Sequence, residues 1–224
     1  MDEPTQYLKD NFASIVGLLI YCSISCRPDL TTIVNKACKG MHGPERRHIL
    51  YLKAALKYIN YNKDRKLIYK RNGGPIRLII EKLENTYPEL NGITDAPIYA
   101  FSDASHMGLI KDKMRSCTGS AIFTFHCLTQ WYHGGQSIAS NSTLQSELIG
   151  ASTTADKAAW FFHFRVMDSS GYPFLFGVES APSIPLFIDN QACLSVTKHP
   201  NNSTKSRHIA LREFRIRDYH YLPS

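Results

Sequence analysis

Apolar positions in the first third of the chain repeat at helical spacing. Ile15, Leu18, Leu19 and Cys22 stand three or four residues apart, which places them on one helix face. Asp10 or Asn11 is placed to cap the start. Arg27-Pro28-Asp29 breaks the pattern, because proline lacks the N–H that a continuing helix needs. A second apolar run covers Leu30–Met41, and His42-Gly43-Pro44 is the next break. A third helix is predicted over about Glu45–Tyr61. Ile49, Leu52, Leu56 and Ile59 share one face of it, and Arg46, Arg47, Lys53 and Lys57 the other. Residues 71–97 read as a connector, punctuated by Asn72-Gly73-Gly74-Pro75, Pro88, Asn91-Gly92 and Pro97. A short piece around Ile76–Leu83 within it fits either strand or helix.

From residue 98 the period changes. Ile98–Phe101 reads as a short strand ending at Ser102-Asp103. Thr118–Phe125 and Leu128–Ser137 add two strands with aromatic and β-branched content. Ser142 and Gln145 then form a capping-box-like start, S-x-x-Q, for a long helix. Its apolar stripe is Leu144, Leu148, Ala151, Ala155, Ala159, Phe162 and Val166. Gly171–Pro185 is a loop rich in Pro, Gly and Ser. Ile184–Ile188 is a fourth strand ending at Asp189, and Ala192–Lys198 a short helix. Asn201-Asn202-Ser203 is a break, and Arg207–Tyr219 reads as a final basic helix. The order β-β-β-α-β-α-α is a mixed α/β pattern.

Composition narrows the classes. The chain has 224 residues, 43% apolar and 20% charged, with a net charge of +7. Disorder, coiled coil and collagen-like fibre are excluded. The basic excess favours an anionic partner. It concentrates between Arg46 and Arg77 and between Lys198 and Arg217. The most apolar stretch, Phe12–Cys26, is too short and too polar to span a bilayer, so no membrane role is expected. Met1-Asp2-Glu3-Pro4 lacks the basic start of a signal peptide. An intracellular, non-secreted protein is expected, and the sequons at Asn141, Asn201 and Asn202 then read as chance. Cys22, Cys26, Cys38, Cys117, Cys127 and Cys193 have no second ligand pair at zinc spacing and read as reduced core cysteines.

Three acids stand at element ends. Asp103 closes the first strand, Glu147 lies in the first turns of the long helix, and Asp189 closes the fourth strand. Strands that lie side by side can bring such carboxylates to one spot, where they repel one another unless cations fill the space. Oxygen-only ligands suit Mg²⁺ or Mn²⁺. Two such ions about 4 Å apart can clamp both oxygens of a phosphodiester displacement. By spacing alone, solvated surface acids explain the three better than a shared metal site does.

The residues around them carry more information. Tyr99-Ala100-Phe101-Ser102-Asp103-Ala104-Ser105, Arg115-Ser116-Cys117-Thr118-Gly119, Gln136-Ser137-Ile138-Ala139, Glu147, Leu186-Phe187-Ile188-Asp189-Asn190-Gln191 and Ser206-Arg207-His208-Ile209 follow in one order. This series resembles the RNase H region of copia-type (Ty/copia) retrotransposon Pol polyproteins. Ile15–Tyr21, Arg27-Pro28-Asp29 and His48–Lys53 resemble the segment that joins reverse transcriptase to RNase H there. The likeness covers roughly residues 7–218, and residues 71–97 match poorly.

The resemblance implies an RNase H-like mixed α/β sheet flanked by helices, preceded by a helical N-terminal segment. Residues 1–70 would be the connection segment, 71–97 a linker and 98–224 the RNase H-like domain. Asp103, Glu147 and Asp189 match the first three metal-binding acids, so two Mg²⁺ or Mn²⁺ ions are the implied cofactors. The implied activity is hydrolysis of the RNA strand of an RNA–DNA hybrid during reverse transcription. Strand choice would rest on 2′-hydroxyl contacts. Reverse transcriptase or other Pol domains are further implied partners, in a cytoplasmic particle or the nucleus.

Two departures support a second reading. The family's fourth acid follows a further strand near the end of Pol. This sequence ends at Tyr221-Leu222-Pro223-Ser224 before such a strand, whose absence leaves a sheet edge open. Asp218, the nearest later acid, has a helical setting. An acid commonly stands two residues after the histidine equivalent to His208, where this sequence has Ala210. The alternative is a catalytically weak or inactive domesticated module that binds nucleic acid or a protein partner.

Lys198, Lys205, Arg207, His208 and Arg212 are candidate phosphate contacts beside such a site, although a solvated helix face explains them too. His208 fits a structural hydrogen bond at a helix start at least as well as an approach to phosphate. His106 lies three residues after Asp103, but hard Mg²⁺ prefers oxygen. Trp131 and Trp160 read as core residues.

Overall fold

The computed structural model describes residues 3–71, 73–106, 115–165 and 184–198. The chain forms two compact units, Met1–Ile68 and Tyr69–Ser224. In the described residues of the first unit four helices run in order: α1 (Glu3–Asp10), α2 (Phe12–Ser25), α3 (Thr31–Cys38) and α4 (Arg46–Tyr61). Phe12, Val16, Leu19, Leu30, Val34, Ala37, Ile49, Leu52 and Ala55 make its core. On α2 the buried row is Phe12, Val16, Leu19 and Ser23, while Leu18 is 68% exposed. That helix is apolar nearly all round, so spacing could not choose the face. Asn11 precedes it without a capping bond. Its side chain donates instead to Tyr7 O at 3.0 Å, because α1 runs up to it. At α4, Glu45 and His48 form a reciprocal capping box, satisfying donors that the helix start leaves open.

The break at Arg27-Pro28-Asp29 has a clear physical basis. Pro28 opens a 3-10 turn, Pro28–Leu30. Arg27 donates to Asp29 through Nε at 3.0 Å and through a terminal nitrogen at 2.9 Å, the two-pronged geometry of a strong ion pair. The hydrogen bond from Arg27 holds the Asp29 carboxyl below its ordinary value, and the Tyr58 hydroxyl adds to this.

In the second unit α5 (Gly74–Thr86) occupies the stretch that reads as a connector. Pro75 stands in its first turn, where a missing N–H costs nothing. Strands β1 (Ile98–Ser105), β2 (Cys117–Thr124) and β3 (Cys127–Gly135) follow, then α6 (Thr143–Arg165), β4 (Leu186–Ile188) and α7 (Gln191–Lys198). The sheet order is β3-β2-β1-β4. β2 pairs antiparallel with β1 and β3, and β4 pairs parallel with β1. This is a mixed α/β sheet flanked by helices, compatible with the RNase H-like fold expected from the sequence.

β1 runs further than its apolar pattern suggests. Pairing continues to Ser105↔Cys117, so Asp103 sits two residues inside the strand rather than at its end. The β2–β3 turn is Phe125-His126, both at positive φ, 49° and 61°. Such a turn is costly for large residues. Here His126 is anchored by Tyr99 Oη at 3.2 Å and Thr94 O at 3.0 Å.

One face of the sheet packs on α6 through Ile98, Ala100, Ile122, Ala158 and Phe162. The other carries an aromatic cluster. Phe101 stacks on Phe187 with centroids 4.6 Å apart, and Tyr99 on Phe123 at 5.3 Å. On α6, Leu148, Ala151 and Phe162 of the expected stripe are buried, Leu144, Ala155 and Ala159 are half-buried, and Val166 lies outside the described residues. Trp160 is 52% exposed, a correction to its reading as core. It follows Ala158 and precedes Phe162 by two residues each, which turns it to the opposite side of the helix. Trp131 is half-buried. The six cysteines are free: Cys193 is buried, Cys22 and Cys38 are half-buried against the core of the first unit, Cys117 and Cys127 are half-buried, and only Cys26 is exposed, where the core reading fails. No described helix is long and apolar enough to cross a membrane.

Two outcomes follow from this packing. Asp29→Asn should destabilise the first unit by about 1–3 kcal/mol near neutrality, measured by urea unfolding. Because the folded Asp29 is the stronger acid, its contribution is present above the ordinary carboxylate range and disappears as pH falls through it. The wild-type and Asn curves should therefore converge in acid. In the second unit a Cβ on Gly150 would lie 3.3 Å from Ala104 Cβ and 3.4 Å from Ser102 Oγ. Gly150→Val should cost about 1–3 kcal/mol through overpacking, read as a lower melting temperature.

Candidate metal centre

Three elements deliver the three carboxylates. β1 carries Asp103, the second turn of α6 carries Glu147, and the end of β4 releases Asp189. One carboxylate oxygen from each lies within 4.8 Å of the other two. Asp103 and Asp189 are exposed, while Glu147 is 5% exposed.

Local sequence explains each placement. Asp103 pairs with Gly119 across β1–β2, so no side chain crowds it from that neighbour. Asp189 is followed by Asn190, whose Oδ1 accepts the Cys193 N–H at 2.9 Å. Strand end and helix cap are thus adjacent residues, and α7 leaves the site at once. Ser142 caps α6 through the Gln145 N–H at 3.1 Å. The Gln145 side chain reaches one residue further back than a capping box requires, to the Asn141 N–H at 2.7 Å. Thr154 donates to Gly150 O at 2.9 Å and its hydroxyl lies 3.2 Å from that of Ser102. Together with the bare Gly150, this lets α6 lie close against β1.

Glu147 shows what the arrangement lacks. Burial pushes its carboxyl up to about 7, and the charges of Asp189 and Asp103 push the same way. The Ala104 backbone N–H opposes this only in part. Its Oε2 is buried with no hydrogen-bond partner. A buried carboxylate oxygen without a donor, facing two further carboxylates, is costly unless a cation compensates it. The donors are all hard oxygens, the set preferred by Mg²⁺ or Mn²⁺. Asp103, Glu147 and Asp189 therefore form a cluster that fits a divalent cation. Behind it Cys193 is fully buried. Burial and then the charge of Glu147 push its thiol up to about 12, so it stays protonated and acts as packing.

The other candidates fall elsewhere. Lys198 ends α7, and Lys205, Arg207, His208 and Arg212 lie outside the described residues, as does Ala210. His106 is not among the three clustered ligands; its Nδ1 contacts Ser146 Oγ at 3.1 Å. Sequence reasoning missed Gly150 and Ser146 as parts of this region. The visible signal was the small and polar row Ser146, Gly150 and Thr154, at four-residue spacing along α6.

Comparison with known proteins agrees with part of this. The chain is 24% identical over 222 residues to the retrovirus-related Pol polyprotein from transposon RE1 of Arabidopsis thaliana. The match covers 99% of this chain and 12% of that protein. It is 22% identical over 219 residues to the retrovirus-related Pol polyprotein from transposon TNT 1-94 of Nicotiana tabacum, covering 97% of this chain and 14% of that protein. An uncharacterized mitochondrial protein of Arabidopsis thaliana is 28% identical over 160 residues, 71% of this chain and 57% of that protein. The chain thus spans a small part of the Pol polyproteins it matches. No protein-family model matches the sequence, and no solved structure does.

The geometry predicts a coupling between protons and cations. Folded Glu147 keeps a proton that the unfolded chain releases, so its contribution to metal-free stability should be present in acid and be lost as pH rises through about 7. Added Mg²⁺ or Mn²⁺ should reverse the fall, since it binds the deprotonated site. Urea midpoints across pH from about 5 to about 8 measure this. The metal-induced rise should vanish in Asp189→Asn.

Proposed function

We propose that this chain is the RNase H region of a copia-type retrotransposon Pol polyprotein, with part of the preceding connection, and that it cleaves the RNA strand of an RNA–DNA hybrid. The observation that carries the reading is the meeting of Asp103, Glu147 and Asp189 within 4.8 Å on a β3-β2-β1-β4 sheet. The similarity to Pol polyproteins supports it.

In this reading Asp103, placed on β1 between β4 and β2, would hold Mg²⁺ or Mn²⁺ together with Glu147 and Asp189. Bound there, the cations supply a more acidic water and offset the charge that grows on the phosphodiester. Asp103 and Asp189, both exposed, face the incoming strand. Glu147, the buried member of the three, forms the side of the site away from solvent. Water adds to phosphorus, the bond to the 3′ oxygen breaks, and the products are a 3′-hydroxyl and a 5′-phosphate. The basic residues after Lys198 would hold phosphates of the hybrid. Such contacts position the strand without reading bases.

Cleavage of a hybrid carrying labelled RNA tests the reading. Activity should require Mg²⁺ or Mn²⁺. Asp103→Asn should lower it by more than the roughly 100-fold that loss of an outer-shell partner can cost. Full activity in that variant would overturn the assignment. A wild type that binds hybrid but never cleaves it would leave a non-catalytic binding module.

A further inference from the structure

Glu147 has few partners of its own. One backbone N–H reaches its carboxylate, and Oε2 has none. Its position must therefore be set by the helix turn that carries it. The preceding residue, Ser146, is fully buried and lies in a cluster of hydroxyls. Ser116, Ser140 and Ser146 touch one another at 2.6, 2.7 and 2.9 Å. Gln136 donates to Ser146 O at 2.9 Å and to Thr118 Oγ1 at 3.0 Å. His106, the first residue beyond β1, brings Nδ1 to 3.1 Å from Ser146 Oγ and 3.4 Å from Ser140 Oγ.

Proton counting among these contacts favours one direction for the histidine contact. Three hydroxyl–hydroxyl contacts need three protons, one from each serine. The Ser142 carbonyl, 3.3 Å from Ser146 Oγ, adds a further acceptor. These contacts offer more acceptors than protons, which favours an imidazole N–H at Nδ1 as the donor to the serines. The donor comes from the strand that carries Asp103, and it reaches the helix turn that carries Glu147.

We propose that His106 is a positioning residue: its Nδ1–H, donated into the buried serine cluster, fixes the first turns of α6 and so sets the spacing between Glu147 and Asp103. The inference rests on the metal-centre reading above. It gives His106 no contact with cation or substrate. It also separates the two ring nitrogens. Nδ1 carries the role, and Nε2 is dispensable.

Three variants of the full chain separate these cases. The side-chain amide of Asn places an N–H near the position of Nδ1, that of Gln near the position of Nε2, and Phe keeps the ring without a donor. Mn²⁺ affinity is measured by calorimetry and hybrid cleavage in parallel. His106→Gln and His106→Phe should weaken Mn²⁺ binding by about tenfold or more, the size seen when ligand-orienting partners are lost. They should lower kcat with little change in KM for the hybrid. His106→Asn should stay near wild type in both. Wild-type affinity in His106→Gln, or equal losses in Asn and Gln, would overturn the proposal. If the wild type binds Mn²⁺ without cleaving hybrid, the nuclease reading falls while affinities still decide the role of His106. If the wild type binds no Mn²⁺, the metal centre falls and this inference with it.

Discussion

The close approach of α6 to β1 is the constraint on which the second unit depends. At Gly150 the helix backbone comes so near that one added carbon would meet Ala104 and Ser102. One turn earlier is Ser146, and one turn later Thr154 bonds Ser102. This row holds small and hydroxyl-bearing residues because larger ones would lift the helix off the strand. The packing also decides the chemistry. A helix lying this close brings Glu147 beside Asp103 and buries it there, whereas a helix held off by leucines would leave the carboxylate in water.

Burial makes the three acids unequal. Asp103 and Asp189 are solvated, so their charges are screened and cheap to keep. Glu147 is not, and two like charges at short range add to the cost of ionising it. The fold accepts this without supplying a cation of its own: among the described residues, no Lys or Arg pairs with any of the three. Arginine is used where the fold needs a paired charge, as at Arg27 and Asp29 in the first unit. The contrast is informative. A structural carboxylate here is given two guanidinium donors, while Glu147 is left with one backbone N–H and an oxygen without a partner. An uncompensated cost of that kind is one that a bound cation would offset.

Much of this was legible in the sequence. Pro28, Gly43-Pro44 and the change of period at residue 98 marked breaks that the structure keeps. The capping signal at Ser142 and the order of strands around the long helix were readable because they depend on local chemistry. The buried face of α2 was not, since an all-apolar helix has no preferred side. The full extent of β1 was also hidden. It depends on pairing with β2, and Asp103 and Ser105 do not look like strand residues by themselves. The Phe125-His126 turn was hidden for a similar reason: its backbone cost is offset by Tyr99 and Thr94, both remote in sequence. The three acids could be named one by one from their motifs. What the sequence could not show was that Glu147 alone would be buried, because that follows from the bare Gly150 three residues later.

The hydroxyl cluster explains why such a site can be rigid without being apolar. A stripe of leucines fixes a helix against a sheet but tolerates sliding, since dispersion contacts have little direction. Hydrogen bonds at 2.6–2.9 Å among Ser116, Ser140 and Ser146 do not slide. They tie the residue before β2 and the β3–α6 connection to the first turn of α6, and His106 adds the residue after β1. Further along α6 the contacts become apolar, through Ala158 and Phe162 against Ile98, Ala100 and Ile122. The helix is thus held in two ways. The apolar half supplies stability, which depends on area. The polar half supplies register, which depends on angle and distance. Glu147 sits at the polar end, where a displacement of a fraction of an ångström would decide whether three carboxylate oxygens can share one cation.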